Sequence, residues 1–383
     1  MKHGFLVFCC PVFEDKTDGV AKKLHAQARF LSSFGACECI NIPLPTKPFI
    51  KLKLLPYLFS KDTHKNILQK IKNADFLYVR KLSTDSRSTI NFLHSIKEAN
   101  PHCKILYEIP TYPYDKESRT VFEKFLLLID RHYRVKLHEV VDRIITLSDD
   151  DKIFGCPTLR IRNGVEVESI PVSKKESYDP ACLNLIAVAQ FSFWHGYERA
   201  IEGLRGYYAA GGSRKIVLHL VGDGPELEKY RGLAGQYEME EHIVFHGTLS
   251  GCRLTEAFDT ADIALCSLAA HRVGIYEASF LKSREYLSRG LPIVSSTKID
   301  IIPDGCRFCL RVPEDDGPLD MQKIIAFADG LYGEHGEHRI SCRDEIRSFA
   351  EKNCGMDASM QSVLDFFSAP SVYPPRQAAS RPG

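Results

Sequence analysis

The chain has 383 residues, 44% of them hydrophobic, with 50 basic and 49 acidic side chains and a formal net charge of +1. That length and apolar share suit two globular domains and exclude bulk disorder, and no run of eighteen apolar residues marks a transmembrane helix. The near balance hides an asymmetry, because the first 170 residues hold 27 basic against 20 acidic side chains and the remainder is net acidic by six.

Residues 4–12 read as a buried first strand. The apolar run is too short for a signal peptide, and Glu14-Asp15-Lys16 follows at once. A glycine-bearing loop through Gly19 and Val20 then leads into a helix with Leu24, Ala28, Phe30 and Leu31 on its apolar side, and residues 37–42 form a second strand. This is the β-loop-α-β opening of a doubly wound domain, with Gly19 where backbone can approach a ligand closely. Pro43 to Tyr57 is aperiodic and reads as a long loop with a short helix. Asp75–Arg80 is a strand, Thr89–Ala99 a helix stopped by Asn100-Pro101, and Lys104–Pro110 a strand that runs into Thr111-Tyr112-Pro113-Tyr114. Glu108 and Tyr112 thus stand at the strand end where open α/β sheets bind ligands.

Arg119–Glu139 is an amphipathic helix expected to pack on its own sheet. The alternative is that Lys124, Arg131, His132, Arg134 and Lys136 lay a basic face on lipid headgroups. After a strand at Val141–Ser148, Asp149-Asp150-Asp151 is expected to open a helix, where carboxylates favour the dipole without any metal. Lys174–Pro180 is polar and aperiodic and reads as a linker. The alternation then restarts, with strands at Leu183–Ala189, Lys215–Val221, His242–His246 and Ala261–Ser267, and a loop after the first that carries Trp194-His195-Gly196. Gly222-Asp223-Gly224-Pro225 opens the helix after the second strand. Helices follow at Leu319–Tyr332, Arg339–Phe349 and Ala358–Phe367, and the Pro/Ser/Arg/Gly-rich tail from Ala369 reads as disordered.

The stretch between those strands and helices carries the chemistry. Glu277 and Glu285 are eight positions apart, with the pattern turning helical from Ser279 and stopping at Gly290 and Pro292 before the strand Ile293-Val294-Ser295-Ser296. Glu277 is expected at the mouth of the helix and Glu285 two turns inside. A helix mouth suits a phosphate, and a carboxylate further down can accept hydrogen bonds from vicinal hydroxyls. Phosphate plus diol describes a nucleotide. Two glutamates at this spacing alone are common on solvated helix faces, so the flanking glycines, proline and buried strand make the signal.

The stretch resembles the donor-site signature of glycosyltransferase family 4, matched here by Glu277, Glu285, Gly290 and Pro292. The landmarks from 183 to 296 fit that family closely and residues 1–170 loosely. Glu108-Ile-Pro-Thr-Tyr112 resembles a segment of its bacterial capsule and exopolysaccharide members. The resemblance implies a GT-B fold, α/β, with two doubly wound Rossmann-like domains facing a cleft. These would be an acceptor-binding domain at 1–173, a linker at 174–182, a nucleotide-sugar domain at 183–345, a helix at 346–368 crossing back to the first domain, and a disordered tail at 369–383.

It further implies that Glu285 holds the ribose hydroxyls, that Glu277 contacts the sugar, and that the backbone of Gly274, Ile275 and Tyr276 lies against the diphosphate, with Gly222 on the donor side. Gly19, Val20, Glu108 and Tyr112 would face the acceptor. One departure stands out: the family's arginine and lysine after the first strand of this domain are missing, and His195 replaces the lysine. Lys282, Arg272, Arg199 and a protonated His195 are the candidates to neutralise the diphosphate.

The expected function is retaining, metal-independent transfer of a sugar from a nucleotide-diphospho-sugar to a hydroxyl of a polysaccharide or lipid-linked saccharide, with no cofactor and no nucleic-acid partner. The alternatives are a non-catalytic GT-B subunit and a nucleotide-sugar epimerase. Thirteen scattered cysteines, with Cys306-Arg-Phe-Cys309 lacking a second pair, point to a reducing compartment without a zinc site. The expected location is the cytoplasm, with the basic half suited to the inner membrane face.

Overall fold

The structure, a computed structural model, describes residues 2–14, 19–42, 61–81, 84–115, 120–333 and 336–370. The predicted loop at 43–57, the start of the predicted helix at Arg119 and the tail beyond 370 lie outside them. The chain divides into two compact units, Met1–Arg162 with Ser359–Gly383, and Asn163–Ala358. Residues 174–182 lie within the second, where the Lys174 amide donates to Asp259 Oδ1 at 2.8 Å and Lys175 pairs with Asp262 at 2.6 Å.

The first unit runs β1 His3–Phe8, α1 Gly19–Phe34, β2 Ala36–Asn41, α2 Lys61–Ile71, β3 Phe76–Arg80, α3 Arg87–Ala99, β4 Lys104–Glu108, α4 Val121–Arg134, β5 Arg143–Thr146, β6 Lys152–Ile153 and β7 Cys156–Arg160. Its sheet has the order β2-β1-β3-β4-β5-β7-β6, parallel except for β6 against β7. Phe5, Leu6, Val7, Leu77, Ile105 and Leu106 are wholly buried, as expected of parallel strands covered on both faces. Two expectations fail here. The Asp149–Asp151 triplet opens the hairpin β6–β7 rather than a helix, because Phe154 and Gly155 both take left-handed φ angles (48° and 79°) and reverse the chain at once. The long helix predicted to run to Glu139 ends at Arg134, and a short 3₁₀ turn at Leu137–Glu139 follows. At its start, Thr120 and Glu123 form a reciprocal capping box, at 3.1 and 2.9 Å.

The second unit runs β8 Cys182–Val188, α5 Glu198–Ala209, β9 Lys215–Val221, α6 Leu227–Gln236, β10 Ile243–Gly247, α7 Gly251–Thr260, β11 Ile263–Leu265, β12 Glu277–Ala278, α8 Leu281–Ser288, β13 Ile293–Ser295, β14 Lys298–Ile299, β15 Cys309–Arg311, α9 Met321–Tyr332 and α10 Arg339–Asn353. Its parallel sheet has the order β10-β9-β8-β11-β13-β15. The last helix, α11 Met356–Ser368, begins in this unit. From Ser359 on it belongs to the first, where the Phe367 ring lies 4.5 Å from that of Phe76. Among the described residues no helix is long and apolar enough to cross a membrane.

Candidate functional site

In the second sheet the strand order reverses between β8 and β11. Loops at the carboxyl ends of strands flanking such a reversal form the ligand crevice of doubly wound folds. The loop after β8 carries His195, and the segment after β11 carries a 3₁₀ turn at Ala270–Val273 and then β12 and α8. Tyr286 ties α8 to this edge, its hydroxyl accepting from the Val188 amide (2.9 Å) and donating to the Val188 carbonyl (3.2 Å). The approach to α8 is held by Arg284, which is wholly buried. It donates to the Asn163 carbonyl at 2.9 Å and pairs with Asp300. Asn163 in turn donates its amide to Ser279 Oγ at 2.7 Å. Gly290, at φ 76°, ends α8 in the left-handed conformation that its position just past the helix predicts.

Glu277 is not at the helix mouth. It sits in β12, paired in parallel with β14, and its carboxylate meets Lys298 at 3.1 Å. The chain takes extended conformation at Phe280 before α8 begins at Leu281, so the eight-residue spacing spans a short strand, an extended connection and the first turn of the helix. Glu285 is inside α8. Arg289, one turn on, donates to its Oε1 at 3.0 Å while stacking 4.0 Å over Phe258. Sequence reasoning passed over Arg289, although its i,i+4 spacing from Glu285 was the signal.

Lys282 lies in the first turn of α8. Its ammonium donates to the Tyr197 hydroxyl at 3.2 Å and lies 5.7 Å from that ring. No carboxylate pairs with it among the described residues. Burial pushes its pKa down to about 7, opposed only by the Cys266 thiol. His195 stacks on the same tyrosine, at 5.6 Å and 4° between planes. Burial, then the nearby Lys282 charge, pushes His195 down to about 2. The protonated His195 of the sequence reading is therefore corrected to a neutral ring. Its Nδ1 accepts from the Ser192 amide at 2.9 Å, which leaves the proton on Nε2. Tyr197 and Ser192, which organise the pair, carry no motif signal; only the fold brings them to Lys282.

The two arginines are already engaged. Arg199, 1% exposed, donates to the carbonyls of Gly317 (2.6 Å), Pro313 (3.1 Å) and Leu268 and to Asp315 Oδ1 at 2.7 Å, so it braces the loop before α9 and offers no donor to a diphosphate. Arg272 is spent on Glu198 (2.6 Å), Asp316 (2.7 Å) and the Phe193 carbonyl (2.7 Å). The Gly274 and Ile275 amides close the 3₁₀ turn onto His271 and Ala270, and Tyr276, 57% exposed, gives its carbonyl to Lys298. Gly222 has a backbone reason: at φ 132° a Cβ there would lie 1.9 Å from the Ala189 carbonyl oxygen.

In the first unit, Gly19 opens α1, Val20 is 41% exposed, and Tyr112 is half-buried edge-on to Phe154 at 5.8 Å. Glu108 is wholly buried and held by Lys23, Gln27 and Tyr78, an anchored carboxylate rather than an exposed ligand. Among the described residues no three His, Cys, Asp or Glu side chains converge on one point. Asp149 pairs with Arg160, and Asp150 accepts from Ser148. All thirteen cysteines are free of disulfides, and burial pushes the Cys309 thiol up to about 12.

Residues 180–304, the span holding this site, match the family described as glycosyl transferases group 1. None of the curated proteins matches the chain. Solved structures that resemble it include a glycosyltransferase from Rickettsia africae (TM-score 0.62, 12% identity, covering 96% of this chain and 98% of that one). Sucrose-phosphate synthase from Thermosynechococcus elongatus is similar at a TM-score of 0.63 with 13% identity, covering 96% and 98%. HepE of Anabaena, solved in complex with UDP, is similar at 0.59 with 13% identity, covering 96% and 100%. At such identities the likeness is one of fold, and the fold is GT-B.

Proposed function

We propose that the protein is a glycosyltransferase that moves a sugar from a nucleotide-diphospho-sugar to a hydroxyl of a saccharide or lipid-linked saccharide acceptor. The observation that carries this is Lys282, a half-buried ammonium at the start of α8 with a tyrosine hydroxyl for partner and no carboxylate among the described residues. An anion beside it restores the charge balance that burial removes. Glu285, oriented through one oxygen by Arg289, has its second oxygen for a ribose diol.

As the bond to the leaving diphosphate breaks, negative charge grows on its oxygens. Lys282, the first amides of α8 and the neutral His195 Nε2–H are fixed donors for that charge, so they stabilise the transition state more than the bound donor. The family match over 180–304 and the GT-B fold support glycosyl transfer. The UDP bound by HepE supports a nucleotide donor. Retention of configuration and metal independence enter this reading from the sequence resemblance.

A lipid-linked acceptor fits α4, whose Val121, Phe125 and Leu128 are 86%, 48% and 61% exposed along one stripe, with Lys124 along its edge. We place this stripe against an anionic bilayer surface, where apolar burial and charge act together. The test of the whole reading is thermal shift with a panel of nucleoside diphosphates and their sugar conjugates, followed by product analysis with the best binder. Absence of any stabilising nucleotide would remove it.

A further inference from the structure

The first sheet reverses its strand order between β1 and β3, so its own ligand crevice lies at the carboxyl ends of those strands. Arg80 is the last residue of β3, in register with Glu108, the last residue of β4. Glu108 needs no further partner. The Lys23 ammonium reaches it at 2.7 Å, Gln27 at 3.0 Å and the Tyr78 hydroxyl at 2.7 Å. Burial works against its ionisation, but the Lys23 and Arg80 charges and these hydrogen bonds outweigh it and hold the pKa down at about 2. One carboxylate therefore faces two cations, and Lys23 alone neutralises it.

Arg80 is the surplus cation. Its Nη1 is buried 3.9 Å from Glu108 Oε1, beyond hydrogen-bond reach, and its guanidinium makes no hydrogen bond among the described residues. Lys81 beside it shows the contrast, since its ammonium is spent on Asp85 and on Asp130 at 2.7 Å. Buried donors are nearly always satisfied, so a half-buried guanidinium whose Nη1 is buried without an acceptor at a ligand-binding edge calls for one from outside. A planar guanidinium suits a paired-oxygen anion, which it grips through two parallel hydrogen bonds.

We propose that Arg80 anchors an anion subsite in the first unit, taking the phosphate or carboxylate oxygens of the acceptor. This rests on the glycosyltransferase reading and narrows its acceptor to an anionic one. The neutral alternative, an uncharged sugar at this edge, would leave the guanidinium as it is.

The test uses the full chain with a saturating nucleoside diphosphate, titrated calorimetrically with octyl phosphate in one arm and with the methyl glycoside of glucuronic acid in the other. Binding of one probe, weakened roughly tenfold or more by Arg80→Gln and less by Arg80→Lys, is the expected result. The probe that binds identifies the source of the anion. Nucleoside diphosphate affinity, measured on each variant, checks that the chain is folded. Failure of both probes, or equal binding by Arg80→Gln, with nucleotide still bound, would overturn the subsite alone. Probe binding seen only when nucleotide is left out would assign Arg80 to the donor phosphates and also overturn it. A wild-type chain that binds no nucleoside diphosphate would sink the glycosyltransferase reading and the subsite together.

Discussion

If a nucleoside diphosphate sits beside Lys282, as proposed, its binding should depend on pH in a window where few other groups titrate. Its folded pKa lies at about 7, far below the ordinary lysine value, because burial disfavours the ammonium. A diphosphate beside it requires the charged form. Above pH 7 the nucleotide's own phosphates are already ionised, their last proton leaving near pH 6. His195, at about 2, stays neutral throughout. If binding needs the ammonium, affinity falls with the charged fraction, from about one half at pH 7 to about 3% at pH 8.5, roughly a sixteenfold loss or about 1.6 kcal/mol. Binding also pulls the pKa up, so the complex takes up about half a proton at pH 7.

Isothermal titration of the best nucleoside diphosphate in two buffers of different ionisation enthalpy measures both quantities. Lys282→Met should bind more weakly at pH 7 and lose the slope. Flat affinity from pH 7 to 8.5 would refute the reasoning, and an unchanged slope in Lys282→Met would assign the titration to another group.

Glu285→Gln should weaken nucleotide binding by about 1.5–3 kcal/mol, the worth of a hydrogen bond to a charged group, with the melting temperature little changed; equal affinity would remove Glu285 from the site. Arg199→Leu should act on stability instead, lowering the melting temperature through the carbonyls and Asp315 it leaves unpaired; a specific loss of nucleotide affinity in a chain of normal stability would contradict that. Glu108 has its folded pKa depressed to about 2, so its contribution is complete above the unfolded value near 4.5 and is lost as pH falls through 2, about 3 kcal/mol over that interval; acid titration of Glu108→Gln should show a shallower fall than wild type. Leu128→Asp should abolish co-sedimentation with anionic vesicles and leave the fold intact, since Leu128 is exposed; unchanged sedimentation would leave the α4 stripe without a bilayer role. Transfer should persist in chelator; loss restored by magnesium would return attention to Asp149 and Asp151.

The sequence by itself marked most of the alternation of strands and helices in both halves, since short apolar runs such as Gly4–Phe8 and Leu183–Val188, bounded by polar loops, suit strands of a covered parallel sheet. It also determined the end of α8 at Gly290 and the presence of Glu285 in a helix, because capping and spacing are local. What it could not decide is which charged groups are already spent. Arg199, Arg272 and Lys282 read alike as basic residues near one loop. Only tertiary packing engages the first two with carbonyls and carboxylates distant in sequence and leaves the third with a tyrosine hydroxyl.

The protonation of His195 is of the same kind, since its neutrality comes from the depth at which Tyr197 and Lys282 enclose it. Glu277 shows the converse limit. Its spacing from Glu285 fits a helix, yet pairing of β12 with β14 outside that helix fixes it as strand. Local pattern decides which backbone conformation is cheap. Burial and ion pairing depend on residues a hundred positions away, and they decide which side chains remain able to meet a ligand.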